Sequence, residues 1–116
     1  NDKFTIHYKQ HRVTTDFAGA PCLLVYYDYS NNGSSASSAM VDVNLQAYQN
    51  GNLLEPAIPE SDDEAIDQFM TEVQPGQAVT VCQAFTLQDE SDVTLQAGEA
   101  FSFGGGTVVS QVLKIK

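Results

Sequence analysis

Residues Cys22 to Ser30 read CLLVYYDYS. In an extended chain, successive side chains point to opposite sides. Leu23, Val25, Tyr27 and Tyr29 then share one face, and Cys22, Leu24, Tyr26 and Asp28 share the other. Both faces are largely apolar. A strand of this kind is a central one, covered on both sides.

Alternation marks the neighbouring segments as half-buried strands. From Phe4 to Val13, Phe4, Ile6 and Tyr8 oppose Thr5, His7, Lys9 and His11. Asp16 to Pro21 (DFAGAP) is a turn, broken by Gly19 and Pro21. A second alternation sets Val41, Val43, Leu45 and Ala47 against Asp42, Asn44, Gln46 and Tyr48. Asn50-Gly51 then fits a two-residue type I′ hairpin turn. Further on, Ser61 and Glu64 make a capping box, and Asp62 and Asp63 suit a helix N-terminus. Ile66, Phe69, Met70 and Val73 fall on one helical face, so one helix of about three turns is expected before Pro75-Gly76.

Three strands follow. Ala78 to Leu87 puts Val79, Val81, Phe85 and Leu87 on one face and Thr80, Cys82 and Ala84 on the other. Asp92 to Phe103 carries Val93, Leu95, Ala97, Phe101 and Phe103 in register, and Thr107 to Lys116 follows a run of glycines. The polar run Asn31 to Ser38 lies between two strands that cannot bury their faces alone. It is therefore a loop inside one domain, crossing between sheets, with Asn31-Asn32-Gly33 able to take left-handed backbone angles. A chain of 116 residues is one domain with room for a real core. About seven short strands, one short helix and regular turn signals give a mainly β fold, an antiparallel β-sandwich.

The charge is one-sided: 15 Asp and Glu against 5 Lys and Arg, a net charge of −10. No Lys or Arg stands between Arg12 and Lys114, where 14 of the acids lie. Such a surface repels a polyanion and an anionic membrane, which excludes nucleic acid as a partner. No run of about 20 apolar residues is present to insert in a membrane. The chain opens on a polar, folded-looking segment at Asn1 rather than on an apolar leader.

The order DFAGAPCLLVYYDYSNN, SAM, AYQNG before LLE, a short acidic helix ending in QPG, AVTV and SDVTL resembles a bacterial exported family. That family is immunoglobulin-like and telokin-like, known as domain of unknown function 5067. The resemblance runs from about Phe4 to Lys116. Tyr29 to Asn32, Gln49 to Gly51 and Pro75-Gly76 are its most telling pieces. It implies an immunoglobulin-like sandwich and an extracytoplasmic place, secreted or lipid-anchored. It implies no activity and carries no site residues over. The lipid-anchoring Cys usual at the mature N-terminus is not at Asn1, so either the chain was cut or this member is freely secreted. In such an order the strands of Cys22 and Cys82 are sheet neighbours. With both cysteines on one face, the pair admits a disulfide, which an exported chain would favour, or two buried thiols.

No motif in the chain specifies a reaction. His7 and His11 on a strand are separated by about 13 Å and cannot share an ion. Glu60, Asp62, Asp63, Glu64 and Asp67 offer oxygens to calcium, but the EF-hand loop pattern is missing and a helix start explains them. Asp89, Glu90 and Asp92 form a weaker turn cluster. Paired carboxylates for glycoside hydrolysis need a shared cleft, whereas acids in exposed turns stay solvated. There is no Gly-x-Ser-x-Gly, phosphate loop or zinc-spaced Cys/His set. Asn32-Gly33-Ser34 matches a glycosylation triplet, by chance in a bacterial protein. Leu24, Tyr26 and Tyr48 project away from the interior, either under the helix or as an aromatic platform. The reading is a non-enzymatic, monomeric exported module, without cofactor or metal, that is structural or binds a protein. A carbohydrate- or divalent-cation-binding domain is the alternative.

Overall fold

The computed structural model describes residues 4–60, 64–103 and 106–115, with only the backbone described at 98–103 and 106–109. Seven strands are described: β1 (Phe4–Thr15), β2 (Pro21–Asn31), β3 (Leu45–Gln49), β4 (Asn52–Leu53), β5 (Ala78–Thr86), β6 (Val93–Phe103) and β7 (Gly106–Leu113). Two short helices, α1 (Ala39–Asp42) and α2 (Glu64–Gln68), accompany them.

The strands form two layers of a β-sandwich. β2 lies between β1 and β5 in one layer, while β3 and β6 lie between β4 and β7 in the other. All these pairings are antiparallel. The layers join on one side through a parallel pairing of His7 with Ser102. On the other side β5 and β4 end the hydrogen-bonded path and do not pair, so the sandwich has one closed and one open edge.

Between the layers, Leu23, Val25, Tyr27 and Tyr29 of β2 and Val81 and Phe85 of β5 meet Leu45, Ala47, Val93, Leu95 and Leu113. Each large apolar side chain buried this way contributes roughly 1.5–3 kcal/mol. The expected alternation therefore holds in β2 and β5. Their outer faces bury a second cluster, in which Cys22, Leu24, Tyr26 and Cys82 pack under Ala65 and Ile66 of α2. β2 is thus covered on both sides, as its composition requires. The connection 31–38 crosses between the layers, from β2 to β3.

Several local expectations are corrected. Ala39 to Asp42 is a helical turn rather than the start of a strand, because the Ser38 side chain caps it and Met40 N–H donates to the Phe69 carbonyl. The described part of α2 spans five residues and ends at Gln68 instead of running three turns to Val73; Ile66 packs on the outer cluster, Phe69 and Val73 reach the inner core, and Met70 stays exposed. A helical face split between two cores cannot continue as one straight helix. The capping pair Ser61–Glu64 and the acids Asp62 and Asp63 fall outside the described residues in part, since 61–63 are not described. So do Gly104-Gly105, Lys3, Lys116 and the side chains of Phe101 and Phe103.

The turn chemistry holds at two places and differs at a third. Asn50 (φ 52°) and Gly51 (φ 82°) make the type I′ turn of the β3–β4 hairpin. Gly76 (φ 81°) follows Pro75 in a type II turn closed by Gln77 N–H to the Gln74 carbonyl. Asn31, Asn32 and Gly33, by contrast, are not left-handed. Asn31 is instead buried and holds the connection by its side chain. Its Nδ2 donates to the carbonyls of Ser35 (2.9 Å) and Val73 (2.8 Å), and its Oδ1 accepts from Gly33 N–H (2.9 Å).

Candidate functional site at the open edge

Where β5 and the β3–β4 hairpin face each other without pairing, a cleft of about 450 Å³ remains. The chain after β4 runs along its rim. Thr86 N–H donates to Glu55 O (2.8 Å) and Ala57 N–H to Ala84 O (3.0 Å), which guards part of the β5 edge. The same segment then crosses to the β1–β2 turn, where Phe17 N–H donates to Ile58 O and Glu60 N–H to Thr15 O, each at 3.0 Å. Pro56 and Pro59 stiffen it. Ile66 and Phe69, from α2 and the turn after it, form the roof. Cys82, Ala84 and Phe85 come from β5, and Leu45 and Gln46 from β3. Leu53 and Met70 line the mouth and are 53% and 59% exposed. The cleft is walled by apolar side chains, with the amides of Asn44, Gln46 and Gln83 as its polar groups. Such a surface offers shape and apolar area to a ligand, with three amides to orient it.

Of the site candidates singled out from sequence, Cys82 stands in the cleft wall and Glu60 and Asp67 adjoin lining residues in the chain, while the others lie elsewhere or inside. His7 and His11 do not share a face. β1 shifts register between Tyr8 and Gln10, so His7 pairs with Asp28 and His11 with Val25, whose side chain faces the core. This bulge reverses the phase of β1 beyond it. His11 then becomes a clasp: Tyr8 Oη–H donates to its Nδ1, and its Nε2–H donates to the Lys114 carbonyl at 3.0 Å.

Cys22 and Cys82 are both buried, and neither is in a disulfide. They share the outer cluster and lie on adjacent strands, but Cys22 pairs with Thr86 and Cys82 with Tyr26. Four positions along a strand separate them, about 13 Å, far beyond disulfide reach. Of the two alternatives, the structure has the buried thiols; burial and the nearby Asp16 push the Cys22 thiol pKa up.

Tyr26 is no platform. It is 6% exposed, covered in part by Ala65, with Arg12 Nε donating to its hydroxyl (3.1 Å) and the guanidinium 5.9 Å from the ring. Tyr48 stands half-buried on the outer face of β3, its hydroxyl donating to Gln46 Oε1 at 3.0 Å. Among the described residues, no three His, Cys, Asp or Glu side chains converge as metal ligands. Asp89 serves the turn before β6: its carboxylate accepts from Ser91 N–H (2.8 Å) and Asn50 Nδ2 (3.0 Å), which holds its pKa low.

The family model described as a domain of unknown function (DUF5067) matches residues 1–99. The chain belongs to this family. The match ends inside β6. Among curated proteins, none matches the chain. Two solved structures resemble this DUF5067 chain. A candidate lipoprotein from Staphylococcus aureus superposes with a TM-score of 0.73 at 14% identity, over 97% of this chain and 84% of that one. A candidate lipoprotein from Bacillus subtilis gives a TM-score of 0.64 at 13% identity, over 98% of this chain and 37% of that one. At these identities the likeness concerns the fold. Among the described residues of the DUF5067 chain, no helix is long and apolar enough to cross a membrane.

The cleft itself was not foreseen from the sequence. Its one legible signal is Leu53-Leu54 after the Asn50-Gly51 turn, with Pro56 and Pro59 breaking the strand that follows.

Proposed function

We propose that this DUF5067 chain is an exported, non-enzymatic module of immunoglobulin-like type that works by binding a protein through its open edge. The observation that carries the reading is the apolar cleft with Leu53 and Met70 exposed at its mouth. Exposed apolar side chains around a concave surface are a feature of interaction sites, which supports the binding reading. The immunoglobulin-like assignment draws support from the strand order. Three strands in the order β1-β2-β5 face four in the order β4-β3-β6-β7, as in sandwiches of that class. Export draws support from the two candidate lipoproteins that share the fold.

Fractionation of the native cells tests location: the chain is expected outside the cytoplasmic membrane, digestible by added protease in intact cells. Recovery in the cytosol would contradict export. A thermal melt with and without millimolar calcium tests the cation alternative. The midpoint is expected to stay in place, and a rise of several degrees would mark a bound ion instead.

A further inference from the structure

The cleft permits a narrower statement, which rests on the interaction reading above. Its mouth is soft and apolar. Met70 is exposed there. Unbranched methionines at a groove adapt to apolar side chains of varied shape.

The surrounding charge has one sign. Glu55, Glu60, Asp67 and Glu72 are exposed, and each stands within two residues of a cleft-lining residue: Leu54, Pro59, Ile66 and Met70 in turn. Of the described cations, Lys9 and Lys114 lie at the other side, whereas the Arg12 guanidinium is engaged with Tyr26, under α2. Lys9 and Arg12 belong to β1, and Lys114 follows β7, the strands of the closed edge. Lys9 is already paired with Asp28 at 3.8 Å. A second copy of the chain would bring a net charge of −10 into the same field.

We propose that the open-edge cleft docks a basic amphipathic segment of a partner protein. The segment's apolar side chains enter between β5 and the β3–β4 hairpin, and its Lys or Arg side chains meet the flanking carboxylates. This is the groove mode of peptide recognition, with charge supplying orientation and association rate.

The test uses the full chain and three short synthetic peptides that share one pattern of Leu positions. Their polar positions are Lys, Glu or Ser. Binding is followed by NMR at low and high salt. The Lys peptide is expected to move the Leu53, Phe69 and Met70 signals and to weaken as salt rises. Leu53→Ser with Met70→Ser is expected to weaken it about tenfold, the equivalent of ~1.4 kcal/mol. Both residues are exposed, so the melting temperature should hold and a folding defect is separable. Glu55→Gln with Asp67→Asn should weaken the Lys peptide and flatten its salt dependence. Equal binding of the Ser peptide at the cleft, insensitive to salt, would overturn the basic partner and leave the interaction reading in place. Preference for the Glu peptide would do the same. Lys-peptide shifts away from the cleft, or cleft signals that move with protein concentration alone, would also overturn it. Silence of the cleft towards all three peptides, together with a calcium-dependent melt, would remove the interaction reading itself.

Discussion

Gln49 has no exposed surface, yet none of its side-chain polar atoms is wasted. Its Nε2 donates to the carbonyls of Asp89 (3.0 Å) and Ser91 (2.8 Å), and its Oε1 accepts from Gln88 N–H (2.7 Å). It fixes the turn between β5 and β6 from the end of β3. Gln49→Ala strands three backbone groups and leaves a void, so a loss of about 2–4 kcal/mol is expected in urea denaturation. The buried tyrosines set the alkaline limit. Tyr29 is fully buried and donates to an Asp42 carboxylate oxygen, and burial, helped by that bond, pushes its pKa up to about 12. Burial raises Tyr27 further; its hydroxyl donates to Gln83 Oε1 at 2.6 Å. Both groups keep their protons in the fold after the unfolded chain has lost them near pH 10. Their contribution to stability is therefore complete below pH 10 and declines as pH rises towards 12. Urea midpoints measured across that range should fall, and Tyr29→Phe should flatten the fall. A midpoint that rises with pH would contradict the assignment.

Among the elements, the turns make a controlled contrast. A side chain at Gly51 would meet no atom within 4 Å, so Gly51→Ala reports only the left-handed backbone, φ +82°. A loss of roughly 1–2 kcal/mol is expected. Gly33 is not left-handed, and Gly33→Ala should change stability by less than about 0.5 kcal/mol. Thermal or urea unfolding of both variants compares the two loops directly. The contrast also shows which parts of the chain can be read in advance. Asn50-Gly51 and Pro75-Gly76 act through their own backbone preferences, so their residue types suffice. β2 is readable because both its faces are largely apolar over nine residues, Cys22 to Ser30. The turn α1 is not readable, because Val41, Val43 and Leu45 alternate like a strand while the deciding bond comes from Phe69, far along the chain. The bulge after Tyr8 is equally silent: one extra residue turns His11 inward and changes no composition.

For the whole molecule, the sandwich is asymmetric by construction. One edge is closed by the pairing of β1 with β6 and by the His11 clasp to Lys114, and it holds the lysines Lys9 and Lys114. The other edge is held apart by the segment from Leu54 to Glu60 and by α2, and it leaves apolar side chains in water with acids about them. The candidate site was hidden from the sequence because it belongs to no single element. It arises where two layers stop, and β4, a strand of two residues, is too short to span the gap. The central claim is that this edge stands open. Methyl NMR with a soluble paramagnetic agent reads it directly. Leu53 and Met70 methyl signals should broaden strongly, while those of Leu23, Leu24 and Leu95, each no more than 1% exposed, stay sharp. If Leu53 and Met70 were as protected as the core leucines, the edge would be closed and the account of a docking cleft would be wrong.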